Sequence, residues 1–110
     1  MRGVWGMEAA EEHLIAVKVH ETAKGAVIGA CDIELLGKRL SDGELKLHIS
    51  EEFYFGKRSS LEELVKLLEG CLTANLVGEK TVKAYCKANP EAEECIIVVD
   101  GIPHLQVYRL

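Results

Sequence analysis

Three of the four histidines, His20, His48 and His104, carry the chemistry this sequence is best placed to perform. A neutral imidazole ligates zinc and similar ions, and its titration near physiological pH suits proton transfer. Each of the three falls on the outward side of a segment that alternates like a strand. "HLIAVKVH" (13–20) sets Ile15, Val17 and Val19 against Lys18 and His20. "ELKLHI" (44–49) sets Leu45, Leu47 and Ile49 against Lys46 and His48, and "HLQVYRL" (104–110) sets Leu105 and Val107 against His104, Gln106 and Tyr108. With helices on the apolar side, the three rings would share the uncovered side, close to Glu51 and Glu52. His20, His48 and His104 are therefore candidate metal ligands, with the two glutamates as proton-carrying companions; no catalytic residue and no cofactor is specified. The same side chains, with Tyr54, also form a candidate binding surface, because antiparallel sheets commonly leave one face wet.

The stretch "LKLHISEEFYFGKRSS" (45–60) joins the second of these strands to a helix. Phe53 and Phe55 share strand parity, so both are expected under the edge of the core, with Tyr54 outward. Upstream, "ETAKG" turns the first strand into a hairpin partner, "AVIGAC" (26–31). Asp32 can cap a single helical turn, and Gly37 can end it in the left-handed conformation. Ser60 with Glu63 spells a capping box, and Leu61, Leu64, Val65, Leu68, Cys71 and Leu72 follow at helical spacing. "TANLVG" reads as a break. A second helix, about 79–88, presents Val82, Tyr85 and Cys86, and Pro90 stops it. "CIIVVD" (95–100), apolar on both sides, reads as a central strand. Strands and helices segregated in this way predict an α+β domain: a mainly antiparallel sheet of about five strands with two helices packed on one face. Residues 1–12 read as a loose lead-in to a single domain over 13–110.

The chain has 110 residues, enough for one hydrophobic core. Its net charge of −5, with no long block of either sign, argues against nonspecific DNA binding, which draws its free energy from neutralised phosphates. A protein or RNA partner stays compatible. No apolar run approaches the ~18 residues of a membrane helix, and "MRGVWGMEAAEEH" lacks the features of a secretory signal, so a cytoplasmic protein is expected. The four cysteines contain no CxxC pair, which favours buried thiols over zinc; a Cys71–Cys86 disulfide is the minor alternative. "ANLVGEKTVKAY" is similar to the turn of helix-hairpin-helix modules, but Leu76 stands where the first glycine would be, and a plain helix corner is expected. GxGxxG, Walker and GxSxG patterns are absent. An exposed edge at the C-terminal strand would offer a route to homo-oligomers.

Taken together, "VKVH" (17–20), "ACDIELLGK" (30–38), "LHISEEFYFG" (47–56), "ANLVGEK" (74–80) and "GIPHLQVYRL" (101–110) resemble a small archaeal family, domain of unknown function 424, over roughly residues 13–110. The resemblance implies an archaeal, intracellular protein and supplies no reaction. It directs attention to His20, Asp32, His48, Glu51, Glu52, Tyr54, Gly56 and His104, which lie within these blocks. In a thermophile, the cysteines could pair despite a cytoplasmic setting. The expected role is a small binding or interaction module; the alternative is a small metal-dependent or acid–base enzyme built on the histidines.

Overall fold

A computed structural model describes residues 13–108 of the chain; the lead-in at 1–12 lies outside the described residues. Strands β1 (Ile15–Thr22) and β2 (Gly25–Asp32) form a tight hairpin, closed by Thr22 opposite Gly25. A 3-10 turn (Ile33–Leu35) leads to a second, separate hairpin, β3 (Arg39–Asp42) and β4 (Leu45–His48). A one-turn helix α1 (Glu51–Tyr54) and the short strand β5 (Lys57–Ser59) follow. Then come α2 (Leu61–Glu69), β6 (Thr73–Val77), α3 (Glu79–Ala88), a 3-10 segment (Pro90–Cys95), β7 (Ile97–Val99) and β8 (Ile102–Tyr108). Among the described residues the main sheet has six strands in the order β5-β1-β2-β6-β8-β7, all antiparallel neighbours except β2 and β6.

Local chemistry accounts for the helices that sequence reading anticipated. The Ser60 side chain accepts from the Glu63 amide and the Glu63 carboxylate accepts from the Ser60 amide, so the capping box starts α2 as expected. Leu64 and Leu68 of α2, and Val82, Tyr85 and Cys86 of α3, pack on Ile15, Val17, Ile28, Ala30, Leu76 and Leu105 of the sheet. This is the α+β arrangement, with both long helices on one face.

Four features differ from expectation. "TANLV" is not a break between helices but the central strand β6, parallel to β2; buried Ala74, Leu76 and Val77 hold it there. That also removes the helix-hairpin-helix reading, since the turn follows a strand. "CIIVVD" supplies the edge strand β7, with Ile97 and Val98 more than half exposed. An apolar run reports β structure but not its position in a sheet. The C-terminal strand β8 is no edge: β6 and β7 flank it. Finally, the face away from α2 and α3 is half covered. The β3–β4 hairpin, the 3-10 turn and α1 build a second core there from Ala16, Cys31, Leu35, Leu40, Ile49, Tyr54, Val77 and Val99.

All four cysteines are free, Cys71 and Cys86 included. Cys31, Cys71 and Cys86 are buried and Cys95 is exposed. Burial, reinforced by the neighbouring carboxylates of Asp32 and Glu34, pushes the Cys31 thiol up to about 12, and burial also raises Cys86. The thiolate is the reactive form. A thiol-disulfide reagent added to native protein at neutral pH is expected to titrate one thiol promptly, Cys95, and all four in denaturant; prompt native labelling of Cys31 would contradict the burial described.

Candidate functional site

The sheet face opposite α2 and α3 is a grid whose rows follow from strand pairing. One row runs His20, Val27, Thr73, Tyr108; the next runs Lys18, Gly29, Asn75, Gln106; a third runs Ala16, Cys31, Val77, His104, Ile97. His20 and His104 thus lie three strands and four residues apart, about 20 Å at ordinary strand spacings. His48 is exposed on the separate β3–β4 hairpin, opposite Arg39. The three imidazoles do not converge, and among the described residues no group of three histidine, cysteine or acidic side chains is placed to hold a metal ion. Alternation located each ring on the right side of its own strand; strand order and the detachment of β4 dispersed them.

His20 instead clamps α1 to the sheet. Its ring stacks on Phe53 at 4.7 Å and 16°, and its Nε2 donates to the Phe53 carbonyl at 2.9 Å. Lys18 Nζ donates to the Glu52 carbonyl at 2.9 Å from the next row. Beneath them Gly29 leaves room: a Cβ there would stand 2.6 Å from both the Phe53 ring and the Phe53 carbonyl oxygen. A glycine inside a strand often marks such a close approach, and this was the signal in "AVIGAC" that could have located the clamp.

Helical geometry also corrects the expected pointing of the aromatics. Ser50 caps α1 by accepting from the Phe53 amide, which makes residues 51–54 a turn of helix rather than extended chain. Strand parity then fails. Tyr54, expected outward, is buried edge-on against Phe53 (4.9 Å, 77°); Phe55, expected inward, is exposed. Burial raises the Tyr54 phenol to about 12, helped by the nearby Cys31, so it stays neutral. Glu51 and Glu52 occupy the exposed first turn of α1. Of the proposed surface, His20 and Tyr54 therefore serve the plug, while His48, Glu51 and Glu52 lie on exposed positions of the covering layer.

His104 stands apart from these. It is half-buried between Val77 and Ile97, and its Nε2 is buried with no hydrogen-bond partner among the described residues. Burial lowers its proton affinity below the ordinary value near 6.5. Because the folded chain binds this proton more weakly than the unfolded one, unfolding takes up a proton as the pH drops below about 6.5. Stability from this site is present above that pH and is lost as the pH falls towards the depressed folded value. His104→Leu is expected to flatten that part of a melting-temperature profile between about pH 7 and 5; an unchanged slope would refute it.

What α1 and the second hairpin leave open is the strip Val27, Thr73, Asn75, Gln106 and Tyr108. Gln106 Nε2 donates to Asn75 Oδ1 at 3.0 Å, and the Tyr108 hydroxyl donates to Gln106 Oε1 at 3.0 Å, a side-chain relay across β6 and β8. Tyr108 is 64% exposed. The sequence pattern places Gln106 and Tyr108 on this face but not Asn75, because "TANLVG" reads as a break rather than a strand. No helix of the described residues is long and apolar enough to cross a membrane.

Among curated proteins no match is found. Among solved structures, the chain is similar to an uncharacterized conserved protein from Methanopyrus kandleri, at 32% identity and a TM-score of 0.69, covering 87% of this chain and 91% of that one. The family model described as "Protein of unknown function (DUF424)" matches residues 20–110, from the last residues of β1 through β8. With nearly the whole described fold inside that match, the chain belongs to the DUF424 family.

Proposed function

We propose that this protein is a small cytoplasmic binding module and that its ligand is single-stranded RNA, taken with its bases against the open strip of the sheet. The observation that carries this reading is the Asn75–Gln106–Tyr108 relay. An exposed ring offers a base a stacking platform, and carboxamides held in place by their neighbours offer both donors and acceptors to base edges. The chain has a net charge of −5, yet none of the five residues of the strip is a carboxylate. Such a surface reads bases and gains little from phosphates.

Titration of ¹⁵N-labelled protein with a mixed-sequence single-stranded RNA octamer tests this. Shifts are expected at Thr73, Asn75, Gln106 and Tyr108, and Tyr108→Ala is expected to weaken binding about tenfold, the stacking of one base being worth ~1–3 kcal/mol. The salt slope is expected to be shallow, at about −0.7 per neutralised phosphate. Absence of shifts, or binding indifferent to Tyr108→Ala, would overturn the proposal.

A further inference from the structure

We infer that the outer edge of β7, which no strand of the described residues pairs, is a docking site for an extended peptide with a short apolar centre and basic flanks. The two edges of the main sheet are treated differently. β5 is guarded by Lys57 and Arg58, the usual protection against strand addition, whereas β7 reads Ile97-Val98-Val99, with Ile97 52% and Val98 56% exposed.

The direction of the β7 backbone follows from one hydrogen bond. Pro103 is opposite Val98, and its carbonyl accepts from the Gly78 amide (2.9 Å), so Pro103 faces β6. Val98 and Pro103 are therefore a non-hydrogen-bonded pair, and the N–H and C=O of Val98 both point outward. Ile97 and Val99 turn theirs inward, to His104 and Ile102. On either side the outward amides are already used: Ile96 donates to the Glu93 carbonyl, and Asp100 to the Asp42 carboxylate at 3.2 Å. One residue with a matched donor and acceptor thus stands between two satisfied ends, a place for one hydrogen-bonded residue pair at the centre of a short added strand. On the helix side, a groove of about 550 Å³ lies next to this strand; Val82, Cys86, Ile96 and Pro103 give it an apolar floor that can take an apolar side chain, and Glu79, Glu93, Lys83 and Lys87 border it with two charges of each sign.

Charge selects the occupant. Every charged residue in "EAEECIIVVD" (91–100) is acidic, and Asp42 adds another at the Asp100 end. A second copy paired antiparallel through Val98 would lay these acidic flanks alongside one another, which disfavours self-association. A segment with Lys or Arg on both sides of its apolar centre complements them.

Amide hydrogen exchange with the peptide Lys-Lys-Val-Thr-Val-Thr-Val-Lys-Lys tests the inference. In the free protein the Val98 amide is expected to exchange freely while Ile97 and Val99 are protected. Saturating peptide is expected to slow Val98 at least tenfold, and Val98→Lys, an exposed substitution that leaves both cores intact, is expected to weaken binding at least tenfold. Unchanged Val98 exchange at millimolar peptide overturns it, as does equal binding of a peptide with glutamate flanks. Protection of Val98 that rises with protein concentration alone would overturn it in favour of a second copy.

Discussion

Replacing Asp32 with alanine is expected to destabilise the protein by about 3 kcal/mol and to lower its melting temperature by roughly 12 °C. Asp32 ends β2, where its place before "IELL" marked it as the cap of a local turn. The 3-10 turn does form, but the carboxylate makes no cap to it. It reaches across 48 residues of sequence to the start of α3, accepting from Lys80 N (3.1 Å), Thr81 N (2.9 Å) and Thr81 Oγ1 (2.8 Å) while only 4% exposed. The residue at the N-cap of α3 is Gly78, which has no side chain to offer. Asp32 thus supplies from another element what an N-cap side chain normally supplies, and its negative charge lies at the positive end of the helix. Alanine would leave two amides and a hydroxyl without partners in a site closed to water. Asparagine, which keeps one acceptor oxygen, is expected to cost about half as much. Gly78→Ala attacks the same contact from the other side: φ is +110° there, and a Cβ would overlap the Asp32 carboxylate. Thermal melts with exchange of the Lys80 and Thr81 amides check this; a loss under about 1 kcal/mol for Asp32→Ala would mean that the cap is dispensable.

Gly29→Ala is expected to cost a similar amount, about 3 kcal/mol, through a different mechanism. The added methyl would meet the Phe53 ring and also the Phe53 carbonyl at 2.6 Å, and a backbone carbonyl held by His20 yields less readily than a side chain. Lifting α1 to relieve the overlap would break the His20 and Lys18 bonds and loosen Tyr54 over Cys31. Two readouts follow: a lower melting temperature, and a Cys31 thiol that becomes labelled in the folded protein. Phe53→Ala in the same chain is expected to recover part of the loss, since it removes the ring but not the carbonyl. Strict additivity of the two substitutions would show that they do not share a contact.

Both predictions concern residues whose type was visible in the sequence while their partners were not. Ser60 and Glu63 could be read outright, because a capping box is made three residues apart within one helix turn. The same holds for the apolar stripes of α2 and α3, and for the alternation that assigned His20, Gln106 and Tyr108 to one side of the sheet. These are properties of local geometry with fixed periods. Periodicity could not say whether "CIIVVD" sits at the centre or the edge of a sheet, or that "TANLV" is a strand at all. Those outcomes depend on which segments pair.

What the amino-acid order determined unaided was the α+β class, the two long helices, and the side of their own strands that His20, His48, His104, Gln106 and Tyr108 would occupy. Tertiary structure decided the rest. It separated three histidines that parity had placed together, and it turned His20 into a clamp and Asp32 into a remote cap. It also covered half of a face expected to be open, leaving the Asn75–Gln106–Tyr108 strip exposed. The physical reason is that side-chain direction repeats every two or 3.6 residues along the chain, whereas strand order, and hence distance across the sheet, is set by which surfaces bury one another.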